Sequence, residues 1–116
     1  MKELFHQLNS VPVKEIYPGY TSRLIHTAGL TLSYVTCKKG VVLPVHHHPE
    51  EQALNLLEGE MEVTVGDMTQ LCKGGDVVII PSGTPHTVTP ITDCLALDVF
   101  QPPREAYLPF GIRVDE

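Results

Sequence analysis

The stretch QALNLLEGEMEVTVGDMTQLC, residues 52–72, holds three strand-like runs in succession: Gln52–Leu57, Met61–Val65 and Met68–Cys72. Glu58-Gly59 and Gly66-Asp67 separate them, and such dipeptides are hairpin punctuation. The same texture continues outward. Toward the N-terminus lie Val41–Val45, Leu30–Cys37 and Arg23–His26, divided by Lys38-Lys39-Gly40 and Ala28-Gly29. Toward the C-terminus, Lys73-Gly74-Gly75 precedes Val77–Ile80, a run apolar on both faces and therefore expected to be buried. Pro81-Ser82-Gly83-Thr84-Pro85 then forms a loop that delivers His86 to Thr87–Val88, and Cys94–Phe100 is the last clear strand.

Roughly ten short strands without helical periodicity predict an all-β domain, an antiparallel sandwich or small barrel. Residues 1–22 read as an N-terminal edge strand, near Val11–Ile16, followed by a turn at Pro18-Gly19. Residues 23–108 read as the single barrel domain and 109–116 as a C-terminal tail. The 116 residues suffice for one hydrophobic core but not two.

The formal charge of −6, with no stripe of Lys and Arg, argues against nucleic acid as a partner. A small anion stays possible, because a local cation governs the field inside a pocket. Met1 to His6 lacks an uninterrupted apolar stretch, so neither a signal peptide nor a membrane span is expected. Cys37, Cys72 and Cys94 are odd in number, far apart and without a Cys-x-x-Cys pair. They read as reduced, small hydrophobes of a cytoplasmic protein. Exposed sheet edges and the irregular N-terminal segment point to a homodimer, formed by strand pairing or exchange.

The chemistry concentrates in two segments, Gly40-x5-His46-x-His48-x3-Gln52-x6-Gly59 and Gly75-x5-Pro81-x-Gly83-x2-His86. Side chains two apart in an extended chain share a face, so His46 and His48 point one way and His47 the other, toward solvent. Gln52 has the same parity, and His86 arrives on a loop pinned by two prolines. A solvated polar loop or a tag would also explain three adjacent histidines. The run, however, lies in mid-chain between strand-like stretches. Three imidazoles converging on one point leave coordination positions open, as a reactive metal site requires. Metal ligands are therefore expected at His46, His48, Gln52 and His86, around one divalent transition metal among Zn, Ni, Fe, Co and Mn.

These two segments resemble the two cupin motifs, and residues 60–74 between them are as short as in small bacterial single-domain cupins. The resemblance implies a cupin-type antiparallel β-barrel of the jelly-roll kind. Gln52 stands where the family usually has glutamate, and Pro90 where it has asparagine. A glutamate ligand would cancel part of the metal's charge. The neutral amide leaves it whole, which favours Lewis-acid work on an anion over oxygen activation.

A second constellation lies at Asp98-Val99-Phe100-Gln101-Pro102-Pro103-Arg104-Glu105. Cys94, Ala96, Asp98 and Phe100 share one face of their strand. An aspartate there is costly unless it meets a polar cavity or a partner, which makes it a candidate acid–base group. An Asp98–Arg104 ion pair that fixes the chain's exit from the barrel is the structural alternative.

Pro49-Glu50-Glu51-Gln52 together with Leu97-Asp98-Val99-Phe100-x-Pro102-Pro103-Arg104-Glu105 resembles the KdgF group of cupins, the pectin-degradation protein family. The likeness runs from about Arg23 to Leu108. Arg104-Glu105-Ala106 replaces the group's usual Arg-Glu-Asp ending. The resemblance implies His46, His48, Gln52 and His86 at the metal, with Asp98, Phe100 and Arg104 around the reaction centre. Its implied activity converts cyclic 4,5-unsaturated uronates from pectin or alginate lyases into open-chain keto-uronates. Asp98 and Arg104 would be catalytic, and Phe100 would wall the site of a small anionic sugar acid. Arg23 and Tyr34 are further candidates for contact with sugar hydroxyls. An Fe(II)-dependent cupin dioxygenase and a non-catalytic metal- or sugar-acid-binding cupin are the competing readings.

Overall fold

The computed structural model describes residues 3–114, and its regular structure is almost entirely strand. Strands run β1 Val13–Tyr17, β2 Tyr20–Thr27, β3 Thr31–Cys37, β4 Leu43–His46, β5 Glu51–Glu58 and β6 Glu60–Val65. They continue as β7 Met68–Lys73, β8 Val77–Ile80, β9 His86–Pro90, β10 Cys94–Gln101 and β11 Ile112–Val114. Single 3-10 turns occupy Leu8–Ser10 and Glu105–Tyr107. Among the described residues no helix is long and apolar enough to cross a membrane.

Two sheets face each other. The larger has the order β1-β2-β3-β10-β5-β8, with β11 added parallel to β2, and the smaller has the order β4-β9-β6-β7. The pairing is antiparallel apart from β11. This is the all-β jelly roll that the strand count and cupin-like motifs imply.

Period-two alternation decides which side chains meet. Along β10, Cys94, Ala96 and Phe100 are buried and Asp98 shares their face. Ala96 sits opposite Val35 and Leu56, and Asp98 opposite Ser33 and Leu54. Tyr20, Val35, Cys37, Leu54, Leu56, Met61, Val63, Cys72, Val88, Cys94 and Ala96 pack as one apolar cluster. All three cysteines are free and buried within it. At the other end of the same strands the inward residues turn polar: Ser22, His26, Thr31, Ser33 and Gln52 are buried too. The barrel is thus sealed with hydrocarbon at one end and lined with polar groups at the other.

Val77–Ile80 departs from expectation. Ile80 is fully buried, but Val77 and Ile79 are 58% and 56% exposed. As β8 the run forms the edge of the larger sheet, paired only to β5. Its outward side chains therefore stand on a face that no further layer of the described residues covers.

Residues 102–114 close the polar end as a strap. After the cis Gln101-Pro102 bond the chain makes the turn at Glu105–Tyr107 and then lays β11 beside Ile25–Thr27. His26 ties the strap down through one ring nitrogen to the Phe110 carbonyl at 2.8 Å, while its other ring nitrogen meets Thr31 Oγ1 at 2.8 Å. The Arg104 N–H donates to that same Thr31 Oγ1 at 2.9 Å. Gly111 has φ of +80°, and a Cβ there would lie 2.6 Å from Leu24 Cβ and closer still to the Leu24 carbonyl oxygen. Both the left-handed backbone and the lack of room demand glycine. Gly111→Ala is therefore expected to cost about 2 kcal/mol or more in urea unfolding. Gly29→Ala, with open space at its Cβ, should stay within roughly 0.5 kcal/mol of the wild type.

Candidate metal centre

A bulge makes the first part of the site. In the pairing of β4 with β9, Leu43 lies opposite Val88 and His46 opposite His86, so β4 spends one more residue than its partner. Leu43 and His46, three apart, would face opposite sides of a regular strand. The extra residue returns His46 to the side that Leu43 occupies, and both line the internal cavity. The following loop is pinned to the β8–β9 loop: Ser82 Oγ donates to the Pro49 carbonyl at 2.5 Å and the Gly83 N–H to that of His48 at 2.9 Å. His48 and Gln52 enter from this loop and from β5, and His47 does not line the cavity.

Each imidazole is oriented by its own neighbourhood. The Nδ1–H of His46 donates to the Pro44 carbonyl at 2.9 Å, that of His48 to Glu50 at 2.9 Å, and that of His86 to Thr84 at 2.8 Å. A carbonyl only accepts, so the proton sits on Nδ1 and the Nε2 lone pair is free in the neutral ring. One potential ligand atom from each of the three rings lies within 4.8 Å of the others. His86 Nε2 is buried and has no hydrogen-bond partner.

Gln52 completes the set. Its Oε1 lies 3.1 Å from His48 Nε2. With the His48 proton on Nδ1, two lone pairs confront each other at that distance, which a shared cation resolves and a hydrogen bond does not. The spacing suits two adjacent ligands at ~2.1 Å bonds around one ion. Asp98 lines the same cavity as Gln52, whose side chain acts on its carboxyl. The four groups therefore fit a divalent metal.

Protonation supports that fit. Burial lowers the pKa of His48, and the nearby Arg104 charge lowers it further. Burial also brings His86 down to about 4, against a smaller upward pull from its hydrogen bond to Thr84. Both rings stay neutral, as ligands must be. Asp98 behaves inversely: burial pushes its carboxyl up to about 7, and the Gln52 hydrogen bond acts weakly the other way. The residue as a whole is half-buried, but its Oδ1 is sealed and unpartnered.

Phe100 and Arg104 also line the cavity. Phe100 stands edge-on to His48, with ring centroids 5.5 Å apart. The Arg104 guanidinium carbon lies 4.9 Å from the centre of the Tyr107 ring and 5.8 Å from that of Phe100. Arg104 is not the ion-pair partner of Asp98. Its Nη1 instead meets Glu50 Oε1 at 3.4 Å, and its Nε is buried without a partner.

Two expected contacts are corrected. Arg23 and Tyr34 are register partners on the outward face of β2 and β3, between the buried Ser22 and Leu24 and between Ser33 and Val35. They line no part of the cavity. Arg23 Nη1 serves the N-terminal segment, donating to the carbonyls of Asn9 and Val11 at 3.2 and 2.5 Å. Strand parity alone predicts their exclusion, since Ser22, Leu24 and His26 point inward. Conversely, Glu50 and Tyr107 belong to the site's surroundings and were not singled out.

The enclosed space amounts to about 40 Å³, room for an ion and a water or two. A sugar ring needs more than this, and the strap supplies two of the lining residues, Arg104 and Tyr107.

The cupin domain family matches residues 33–100, more than half of the chain. No curated protein sequence matches. Among solved structures, KdgF from a Halomonas species is 26% identical, superposes with a TM-score of 0.77, and is covered over 89% of its length by 82% of this chain. An RmlC-like cupin from Shewanella frigidimarina has a TM-score of 0.85 at 24% identity, with 90% of this chain covering 96% of that one. A mutant oxalate decarboxylase of Bacillus subtilis is 19% identical with a TM-score of 0.78, and 88% of this chain covers 30% of it. The last two likenesses speak to fold alone. A three-histidine cluster within a jelly roll, matched to the family along β3 through β10, places this chain in the cupin domain family.

Proposed function

We propose that this cupin is a metal-assisted, non-redox enzyme that opens cyclic 4,5-unsaturated uronates to keto-uronates. One observation carries the reading. His86 Nε2, Asp98 Oδ1 and Arg104 Nε are buried polar atoms without partners, and all three belong to residues lining one cavity. Unsatisfied buried groups are rare and costly, and their gathering marks a place prepared for a ligand. A metal donor, an acid–base oxygen and a guanidinium N–H are the three functions this ring opening needs. The likeness to KdgF, at 26% identity, supports the same substrate class.

The substrate carries a carboxylate on C5, beside the C4–C5 double bond, with the ring oxygen also on C5. Opening breaks the bond between C1 and the ring oxygen as the anomeric hydroxyl loses its proton. The electron pair passes to the ring oxygen, giving the C5 enolate, and delivery of the released proton to C4 gives the ketone. Atoms and charge balance without oxidant or reductant. A divalent cation held by His46, His48, Gln52 and His86 would supply Lewis acidity toward the carboxylate and neighbouring oxygens. Arg104 Nε donates a charge-assisted hydrogen bond to the substrate anion. Asp98, with a pKa near neutrality, carries the proton between the anomeric oxygen and C4. The Phe100 ring keeps water from the reacting face.

Incubation with a lyase-generated unsaturated monouronate should abolish the absorbance of its conjugated double bond under strict anaerobiosis. A chelator should slow this by about 100-fold or more, with recovery on adding back metal. A requirement for oxygen would instead place the protein among dioxygenases. His48→Ala and His86→Ala should lose bound metal by elemental analysis. Asp98→Asn should keep the metal but lower kcat by roughly 10²–10⁴; near-normal turnover would remove Asp98 from the reaction.

Metal-free protein should also report on Asp98 through stability. The folded pKa of about 7 stands above the ordinary 3.8, so the folded state keeps a proton that the unfolded chain has released. This contribution is full below about pH 4 and is lost as the pH climbs through 7. Asp98→Asn lacks it, while His86 acts alike in both proteins. The variant should therefore gain on the wild type by up to roughly 3–4 kcal/mol between pH 4 and 7.5. Urea midpoints in chelator measure this, and an unchanged gap would show that Asp98 titrates normally.

A further inference from the structure

Glu50 lies outside everything so far assigned a role. It is 3% exposed, which is unusual for a glutamate, and both of its carboxylate oxygens are committed to the strap. Oε1 meets Arg104 Nη1 at 3.4 Å, and Oε2 accepts the Glu105 N–H at 3.1 Å. Its backbone carbonyl accepts the His48 Nδ1–H at 2.9 Å, and Oε1 lies 3.5 Å from that same nitrogen. Glu50 thus sits behind the His48 ring, on the side away from Nε2, and does not line the cavity. It is placed neither to bind the metal nor to touch a substrate.

We propose that Glu50 is the positioning residue for Arg104, holding the guanidinium and the start of the strap so that Nε faces the substrate. The inference rests on the ring-opening reading for its substrate and on geometry alone for its structural part. Three observations support it. First, a buried carboxylate is tolerated only with partners, and the side-chain hydrogen bonds found for it come from Arg104 and Glu105. Second, the guanidinium is located from more than one side, by Glu50 at Nη1 and by the Phe100 and Tyr107 rings over which its carbon lies. Nε is left without a partner. Third, Glu50 is itself immobilised, because the adjoining Pro49 and His48 carbonyls are bonded to Ser82 and Gly83. The anchor is rigid and the strap is the part that must yield when a sugar ring enters. On reclosing, Glu50 returns Arg104 to one place. The same residue connects a metal ligand and the substrate-binding cation, so their separation is set by one side chain.

The test uses the full chain loaded with metal. Glu50→Gln keeps the size of the side chain and removes its charge. KM for 4,5-unsaturated galacturonate should rise about tenfold, with kcat changed less than about threefold. The visible spectrum of the Co(II)-loaded protein should not change. In an Arg104→Ala background, Glu50→Gln should have no further effect, because it acts through the residue already removed. A further loss in that background, or an altered Co(II) spectrum, would assign Glu50 to His48 and overturn the proposal. A readout without substrate separates this from the activity itself. The Arg104 Nε–H resonance in ¹⁵N-labelled, Zn-loaded protein should shift and exchange faster in Glu50→Gln, and should recover in part in Glu50→Asp. An unmoved resonance overturns the inference whether or not the uronate is a substrate. A moved resonance in a protein that leaves the uronate intact sinks the ring-opening reading and upholds the placement of Arg104. Should Glu50→Gln fail to fold, the Glu50→Asp comparison alone decides.

Discussion

The site depends on three backbone carbonyls that each take an Nδ1 proton. Pro44, Glu50 and Thr84 fix the tautomer and the ring plane of His46, His48 and His86 before any ligand arrives. Two of these acceptors lie two residues before their histidine, and the third lies two residues after. The chain around each histidine is therefore its own template. That is possible because the segments are irregular where they need to be: a bulge in β4, a loop before β5 and a proline-bounded turn before β9. Regular strands would have used these carbonyls in the sheet ladder and left the rings to rotate.

The rest of the barrel pays for this polar end with its apolar one. Leu56, Met61 and Ile80 are essentially sealed from solvent, and the buried cysteines fill the same region as small hydrophobes. Cys37 and Cys94 face each other across β3 and β10, and burial raises both thiols, Cys37 to about 12. They are poor nucleophiles at neutral pH, consistent with packing rather than chemistry. Along a single strand, β10, the inward positions pass from Cys94 and Ala96 to Asp98 and Phe100. The transition from core to site takes place within two residues.

Much of this was legible in the chain. Hairpin dipeptides located the strands, and the spacing of His46, His48, Gln52 and His86 located the residues that meet. Strand parity put Asp98 beside Phe100 on the inner face. Other features were hidden for identifiable reasons. A run such as Val77–Ile80 is apolar on both faces whether or not something covers the outer one, so its edge position could not be read from composition. Glu50 looks like a solvated bend in Pro49-Glu50-Glu51, because its partners come from Arg104 and Glu105, more than fifty residues later. The strap carries no alternation or helical period. It is held instead by scattered hydrogen bonds to Thr31, His26 and Glu50 and by the close passage of Gly111 over Leu24. Arg23 and Tyr34 show the reverse: parity with their buried neighbours already placed them outside.

The charges at the site explain why a chain of net charge −6 can still receive an anion on the proposed reading. Glu50 is ion-paired with Arg104, and the raised pKa of Asp98 keeps that carboxyl largely neutral below about 7. Without a metal the cavity therefore offers an anion the directional N–H groups of a paired guanidinium. Gln52 in place of a carboxylate changes that balance, because the full charge of a divalent ion stays uncancelled by its ligands. On that reading attraction would come from the metal and orientation from Arg104, two tasks assigned to two groups. An ion-paired arginine suits the second task better than a free one. It is already desolvated, and Glu50 offers it one place to return to when the strap closes over a substrate, which limits the side-chain freedom lost on binding.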